Sequence, residues 1–147
     1  MAATTRPGAI TDSPGYLLKR AQLTLHAALA SALRVHGATL PQYAVLTALH
    51  EEPGLSNADL ARRAFVTPQT MNQVLRELEQ RRWVTRHAHP GHGRILQSEL
   101  TADGRSTLEA CHAAADGVEQ RMLAGLSPAH RRQLAAALLT CINALST

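Results

Sequence analysis

"SNADLARRAFVTPQTMNQVLREL", residues 56–78, decides the fold. Ser56 with Asp59 three residues on has the S-x-x-[DE] form of a capping box, so a short helix starts there. "FVT" interrupts it. Thr67 then caps a second helix, and Pro68 takes its first position, where a missing N–H costs nothing. In that helix Met71, Val74, Leu75 and Leu78 fall at i, i+3, i+4 and i+7, one buried stripe. The opposite face carries Gln69, Asn72, Gln73 and Arg76, and one turn on Gln80. An ordinary solvent face is mostly Glu and Lys, which are better helix formers than Asn.

Two short helices joined by a tight turn, the second exposing hydrogen-bonding side chains, form a helix-turn-helix. The major groove of a DNA duplex accepts one α-helix and presents donors and acceptors on its base edges. Amides of Gln and Asn pair with adenine, Arg with guanine, and Thr meets the thymine methyl. Gln69, Thr70, Asn72, Gln73 and Arg76 are therefore the base-reading candidates. Thr67 and Pro68, at the positive end of the helix dipole, are placed for a phosphate, and Ser56 and Asn57 open the helix before. Taken alone, the same face also fits a solvated polar helix inside a helical domain.

Upstream, a tail to about Ser13 precedes a helix from Pro14 to Val35, stopped by Gly37. "LPQYAVLTALHEEPG", residues 40–54, forms a second helix with Val45, Leu46 and Leu49 inside. Downstream, "WVTRHA" and "RILQSELT" alternate like strands around Pro90, Gly91 and Gly93, giving one β-hairpin over residues 83–101. A long helix follows from Ala102 to about Leu126, with Leu108, Cys111, Ala115, Val118 and Met122 at heptad-like spacing. Ser127 and Pro128 open a last helix carrying Leu134, Leu138, Cys141, Ile142 and Leu145.

The fold class is thus mainly α with one β-hairpin wing, a winged helix-turn-helix flanked by N- and C-terminal helices. Residues 14–37 and 102–147 form the flanking helices and residues 40–101 the DNA-binding part. The first helix and the last two have broad apolar faces without a partner of their own in the sequence. We expect them to bury Leu18, Leu25, Leu29, Leu134, Leu138 and Ile142 against each other and against a second copy of the chain.

Formal net charge is +4, and its distribution is uneven. Residues 60–94 hold seven arginines against Glu77 and Glu79, whereas the segments on either side are close to balanced. Arginine over lysine reflects general usage in this chain; the clustering does not, and a clustered positive surface fits a polyanion. The hairpin adds His87, His89, His92 and Arg94 beside the reading helix. No carboxylate or cysteine accompanies these histidines, so phosphate contact or plain exposure is expected rather than a metal. No apolar run approaches the roughly 20 residues that span a bilayer, and the first residues lack a signal-peptide core. Cys111 and Cys141 are not in CxxC spacing, read as core filler, and leave a reducing cytoplasm as the expected compartment. G-x-S-x-G, H-E-x-x-H and Gly-rich phosphate loops are absent, so neither an enzyme nor a cofactor is expected.

"GYLLKRA" (15–21), "LPQYAVLTAL" (40–49), "LSNADLARRAFVTPQTMNQVLRELEQRRWV" (55–84) and "HPGHGRILQSELTADGRSTL" (89–108) together resemble the MarR (multiple antibiotic resistance regulator) family of winged helix-turn-helix transcription regulators. The last stretch is similar to that family's wing, D-P-x-D-R-R…L-T-x-x-G, with Pro90, Arg94, Leu100, Thr101 and Gly104 in register. His89 and His92 replace its aspartates, Gly93 its first arginine, and Trp83 stands where a glycine is usual. The resemblance implies a homodimer on a pseudo-palindromic operator, a wing arginine (Arg94) on DNA, and a small-molecule or oxidant inducer. Repression is its commoner behaviour. The competing reading is a winged helix that contacts another protein without sequence-specific DNA binding.

Overall fold

The computed structural model describes residues 8–146, the side chain of His92 excepted. Six helices and three short strands follow one another: α1 (Pro14–Arg34), α2 (Leu40–Glu51), β1 (Leu55–Ser56), α3 (Asn57–Arg63), α4 (Pro68–Gln80), β2 (Val84–His89), β3 (His92–Leu100), α5 (Ala102–Leu123) and α6 (Pro128–Leu145). Capping chemistry sets the starts. Ser13, Thr39, Ser56, Thr67, Thr101 and Ser127 each accept a backbone N–H from the first turn of their helix. Thr39 with Gln42 and Ser56 with Asp59 close full capping boxes.

The stripe of α4 is buried as expected: Met71, Val74, Leu75 and Leu78 pack with Leu33, Val45, Leu46, Leu49, Leu60 and Val84 in one core. Each such side chain contributes roughly 1.5–3 kcal/mol through removal from water. α1 and α5 lie against each other and α5 also meets α2, so the winged part is held by both flanking helices.

Several details differ from the expectation. The sheet has three strands, ordered β1-β3-β2, because Leu55 and Ser56 pair antiparallel with Ser98 and Gln97. Two residues are too few for a period-2 signal to register. α5 ends at Leu123, a few residues early. Of the tail, residues 1–7 lie outside the described residues, while Ile10–Asp12 form one 3-10 turn ahead of the Ser13 cap. Cys111 is buried as expected, but Cys141 is exposed, and Met122 on α5 is largely exposed too. Met122 lies at the far end of the α5 stripe, past the buried Cys111 and Val118, while no residue of α6, which carries Cys141, is buried.

The glycine-like position after α4 is also not Trp83. Arg82 takes the left-handed backbone, with φ 59°, and Trp83 is a buried core residue one step later. A true requirement for glycine occurs at Gly104 in α5. A Cβ there would stand 2.0 Å from the Trp83 carbonyl oxygen, so the matched Thr101 and Gly104 let α5 start hard against the β2 strand. Thr101 completes the joint by donating its hydroxyl to the Arg82 carbonyl at 2.6 Å.

Candidate nucleic-acid interface

α4 turns one row of side chains outward: Pro68, Gln69, Thr70, Gln73 and Arg76 are all exposed over the buried stripe. The N-terminal turn is rigid. Thr67 accepts the Thr70 N–H, the two threonine hydroxyls are 3.0 Å apart, and α3 is tied on by Asn57 Nδ2 donating to the Pro68 carbonyl at 3.3 Å. Ser56 and the Nδ2 of Asn57 are thereby occupied within the protein, while Asn57 Oδ1 has no hydrogen-bond partner among the described residues. The Ser56 hydroxyl donates to Asp59 at 2.7 Å, which holds the Asp59 carboxyl below its ordinary value.

Beside α4 lies a hollow of about 370 Å³ lined by Ser56, Asn57, Asn72, Arg86 and Arg94, with Ile95 and Leu96. The structure thus brings the half-buried Asn72 of α4 and the exposed Arg94 of the wing to one cleft. The His92 side chain lies outside the described residues. His87 Nε2 is 3.8 Å from Glu99 across the hairpin, and His89 Nδ1 accepts the Gly91 N–H at 2.9 Å. Among the described residues no three metal-ligating side chains come together.

The arginine cluster divides into two groups. Arg62 pairs with Asp59 and Arg63 with Glu52, Arg86 reaches Glu79 at 3.4 Å, and Arg81 donates to the Gly37 carbonyl while lying over the Trp83 ring. Arg76, Arg82 and Arg94 make no side-chain hydrogen bond or ion pair among the described residues. Charge counting along the chain could not separate the two groups: Asp59 lies in the same helix as Arg62, but Glu52, Glu79 and the Gly37 carbonyl come from other elements. It also missed Arg86 as a lining residue. The alternation of β2, which turns Val84 inward, carries Arg86 to the same face, and that signal was present.

A second hollow, of about 640 Å³, lies between α1 and α5. Leu17, Leu25, Val118 and Met122 give it an apolar lining, and Arg20 and Arg121 line it as well. The three dimerisation candidates on α6, namely Leu134, Leu138 and Ile142, are exposed, as is Leu18 on α1, while Leu25 and Leu29 are half-buried.

The helix pair α3–α4 with a wing folded beside it defines a winged helix-turn-helix protein. Residues 36–95 match the MarR family. The HTH-type transcriptional repressor Rv2887 of Mycobacterium tuberculosis is 42% identical over 127 residues, covering 86% of this chain and 91% of the relative. The chain belongs to the MarR family. Its fold superposes on crystal structures of Rv2887 in complex with DNA (TM-score 0.75, 38% identity, 88% of this chain and 98% of that one) and with salicylic acid (TM-score 0.73, 41% identity, 88% and 97%). Among the described residues no helix is long and apolar enough to cross a membrane.

Proposed function

We propose that this protein is a homodimeric transcription repressor that reads a pseudo-palindromic DNA operator and is released by a small aromatic acid in the cytoplasm. The observation that carries the reading is the exposed row Gln69, Thr70, Gln73 and Arg76 over a buried stripe, with the unpaired Arg94 on the adjoining wing. Residues 40–101 read DNA; residues 14–37 and 102–147 hold two copies together. The relative's complexes with DNA and with salicylic acid support the same assignment of partners.

The mechanism follows from geometry. Two reading helices on one face of a duplex must stand about one turn apart, roughly 34 Å. α6 offers Leu134, Leu138 and Ile142 to a second copy, and α1 offers Leu18, so the dimer layer sets that spacing. The hollow between α1 and α5 lies in this layer, with an apolar lining for a ring and Arg20 and Arg121 for a carboxylate. A ligand seated there changes the spacing, and by linkage it binds the DNA-free dimer more tightly.

Selection of bound duplexes from a random pool, with and without salicylic acid, tests this. A palindromic motif that disappears with ligand is expected. Affinity should fall steeply with salt, as phosphate contacts require. Arg76→Ala should relax base preference by about 1–3 kcal/mol at one position, whereas Arg94→Ala should weaken all sequences evenly. Equal losses on operator and random DNA for Arg76→Ala would remove it from the reading set.

A further inference from the structure

The amide of Gln73 is not free to turn. Its Nε2 donates to Glu77 Oε1 at 3.2 Å, one helical turn along α4. The other oxygen of that carboxylate, Oε2, accepts from Gln42 Nε2 at 3.0 Å. Gln42 is buried on α2, and its Oε1 accepts the Thr39 N–H at 3.1 Å as half of the α2 capping box. Chemistry fixes every orientation in this chain. A backbone N–H demands the oxygen of Gln42, which leaves its NH₂ for Glu77. A carboxylate can only accept, so the NH₂ of Gln73 must face Glu77 as well.

We infer that Glu77 is a specificity-positioning residue: it locks the Gln73 amide so that the carbonyl oxygen and one remaining N–H face the groove, an arrangement that selects adenine over guanine. This inference rests on the DNA-reading role proposed above. Adenine offers the N6 amino group as donor and N7 as acceptor, matching that carbonyl and N–H. Guanine offers acceptors at both O6 and N7 and would need both N–H groups of the amide, one of which Glu77 holds. Without Glu77 the amide turns freely and accepts either purine. Glu77 contributes this at an electrostatic cost, since its carboxylate faces a polyanion.

The test is selection from a random duplex pool by the wild-type protein, Gln73→Ala, Glu77→Ala, Glu77→Gln and Gln73→Ala/Glu77→Ala, with thermal unfolding of each. The base pair read by Gln73 is the one whose preference Gln73→Ala abolishes. There the wild type should favour adenine over guanine by about tenfold, and Glu77→Ala should reduce this to about twofold, leaving other positions intact. Overall DNA affinity of Glu77→Ala should be unchanged or higher. Glu77→Gln keeps the shape but has one carbonyl for two amide donors, so it should unfold like the wild type and still relax the position. In the Gln73→Ala background, Glu77→Ala should change nothing at that position. A wild-type motif that no Gln73 substitution alters, a guanine preference there, or a Glu77→Ala motif identical to the wild type would overturn the inference. So would an even loss at all positions. Failure of the wild type to select any motif would instead overturn the DNA-reading proposal itself.

Discussion

α4 and α6 are both amphipathic helices opened by a Ser or Thr cap and a proline, yet they end in opposite situations. The apolar stripe of α4 is closed by Leu33, Leu46, Leu49 and Leu60 of the same chain. Among the described residues nothing closes that of α6: none of its residues is buried, and Ile142 is 58% exposed. The difference teaches that an apolar stripe states a demand for a partner without saying where the partner is. For α4 the demand is met within the chain, leaving its opposite face exposed, the face we propose for DNA. In α6 it stays open among the described residues, and we propose a second copy of the chain to meet it.

The sharpest way to break this comparison is in the closed core. Leu75→Ala should cost about 2–5 kcal/mol of unfolding free energy. Gly104→Ala should cost about 3 kcal/mol by forcing a Cβ into the Trp83 carbonyl, measured by urea unfolding. Smaller and opposite in sign, Phe65→Gly should stabilise by about 0.5–1 kcal/mol, because Phe65 is 96% exposed and holds φ 55° in the turn between α3 and α4. Leu138→Asp with Ile142→Asp should change the unfolding free energy of the dilute chain by no more than about 0.5 kcal/mol, yet convert a dimer to monomer in sedimentation. A core-sized loss of chain stability there would mean that α6 packs within its own chain, and the contrast with α4 would vanish.

The smallest effect is acid sensitivity at the α3 cap. The Ser56 hydroxyl first, then the Ser56 N–H and Arg62, hold the folded Asp59 carboxyl below its ordinary value, against some desolvation. Its contribution is therefore present above the unfolded carboxylate range and is lost as pH falls through the depressed folded value. Asp59→Asn should lower stability slightly at neutral pH and converge with the wild type as pH falls through that depressed value, which flattens the acid limb; an unaltered acid limb would show that the cap carries no such linkage.

Much of the molecule was legible beforehand because its signals are local. Caps at Ser56, Thr67 and Ser127, and the stripe Met71, Val74, Leu75 and Leu78, are set by neighbours within one or two turns. The strand β1, the exposure of Cys141 and the left-handed Arg82 were not, since each depends on what another element does in space.

The sequence by itself determined which residues become helix, turn and wing, and which face of α4 is polar, because capping and periodicity act over a few residues. Only the tertiary structure decided which arginines stay unpaired among the described residues, that Gln42 reaches through Glu77 to Gln73, and that α6 buries none of its residues against the described chain. Ion pairs and hydrogen bonds between elements depend on distances of about 3 Å, and those are fixed only when the elements pack.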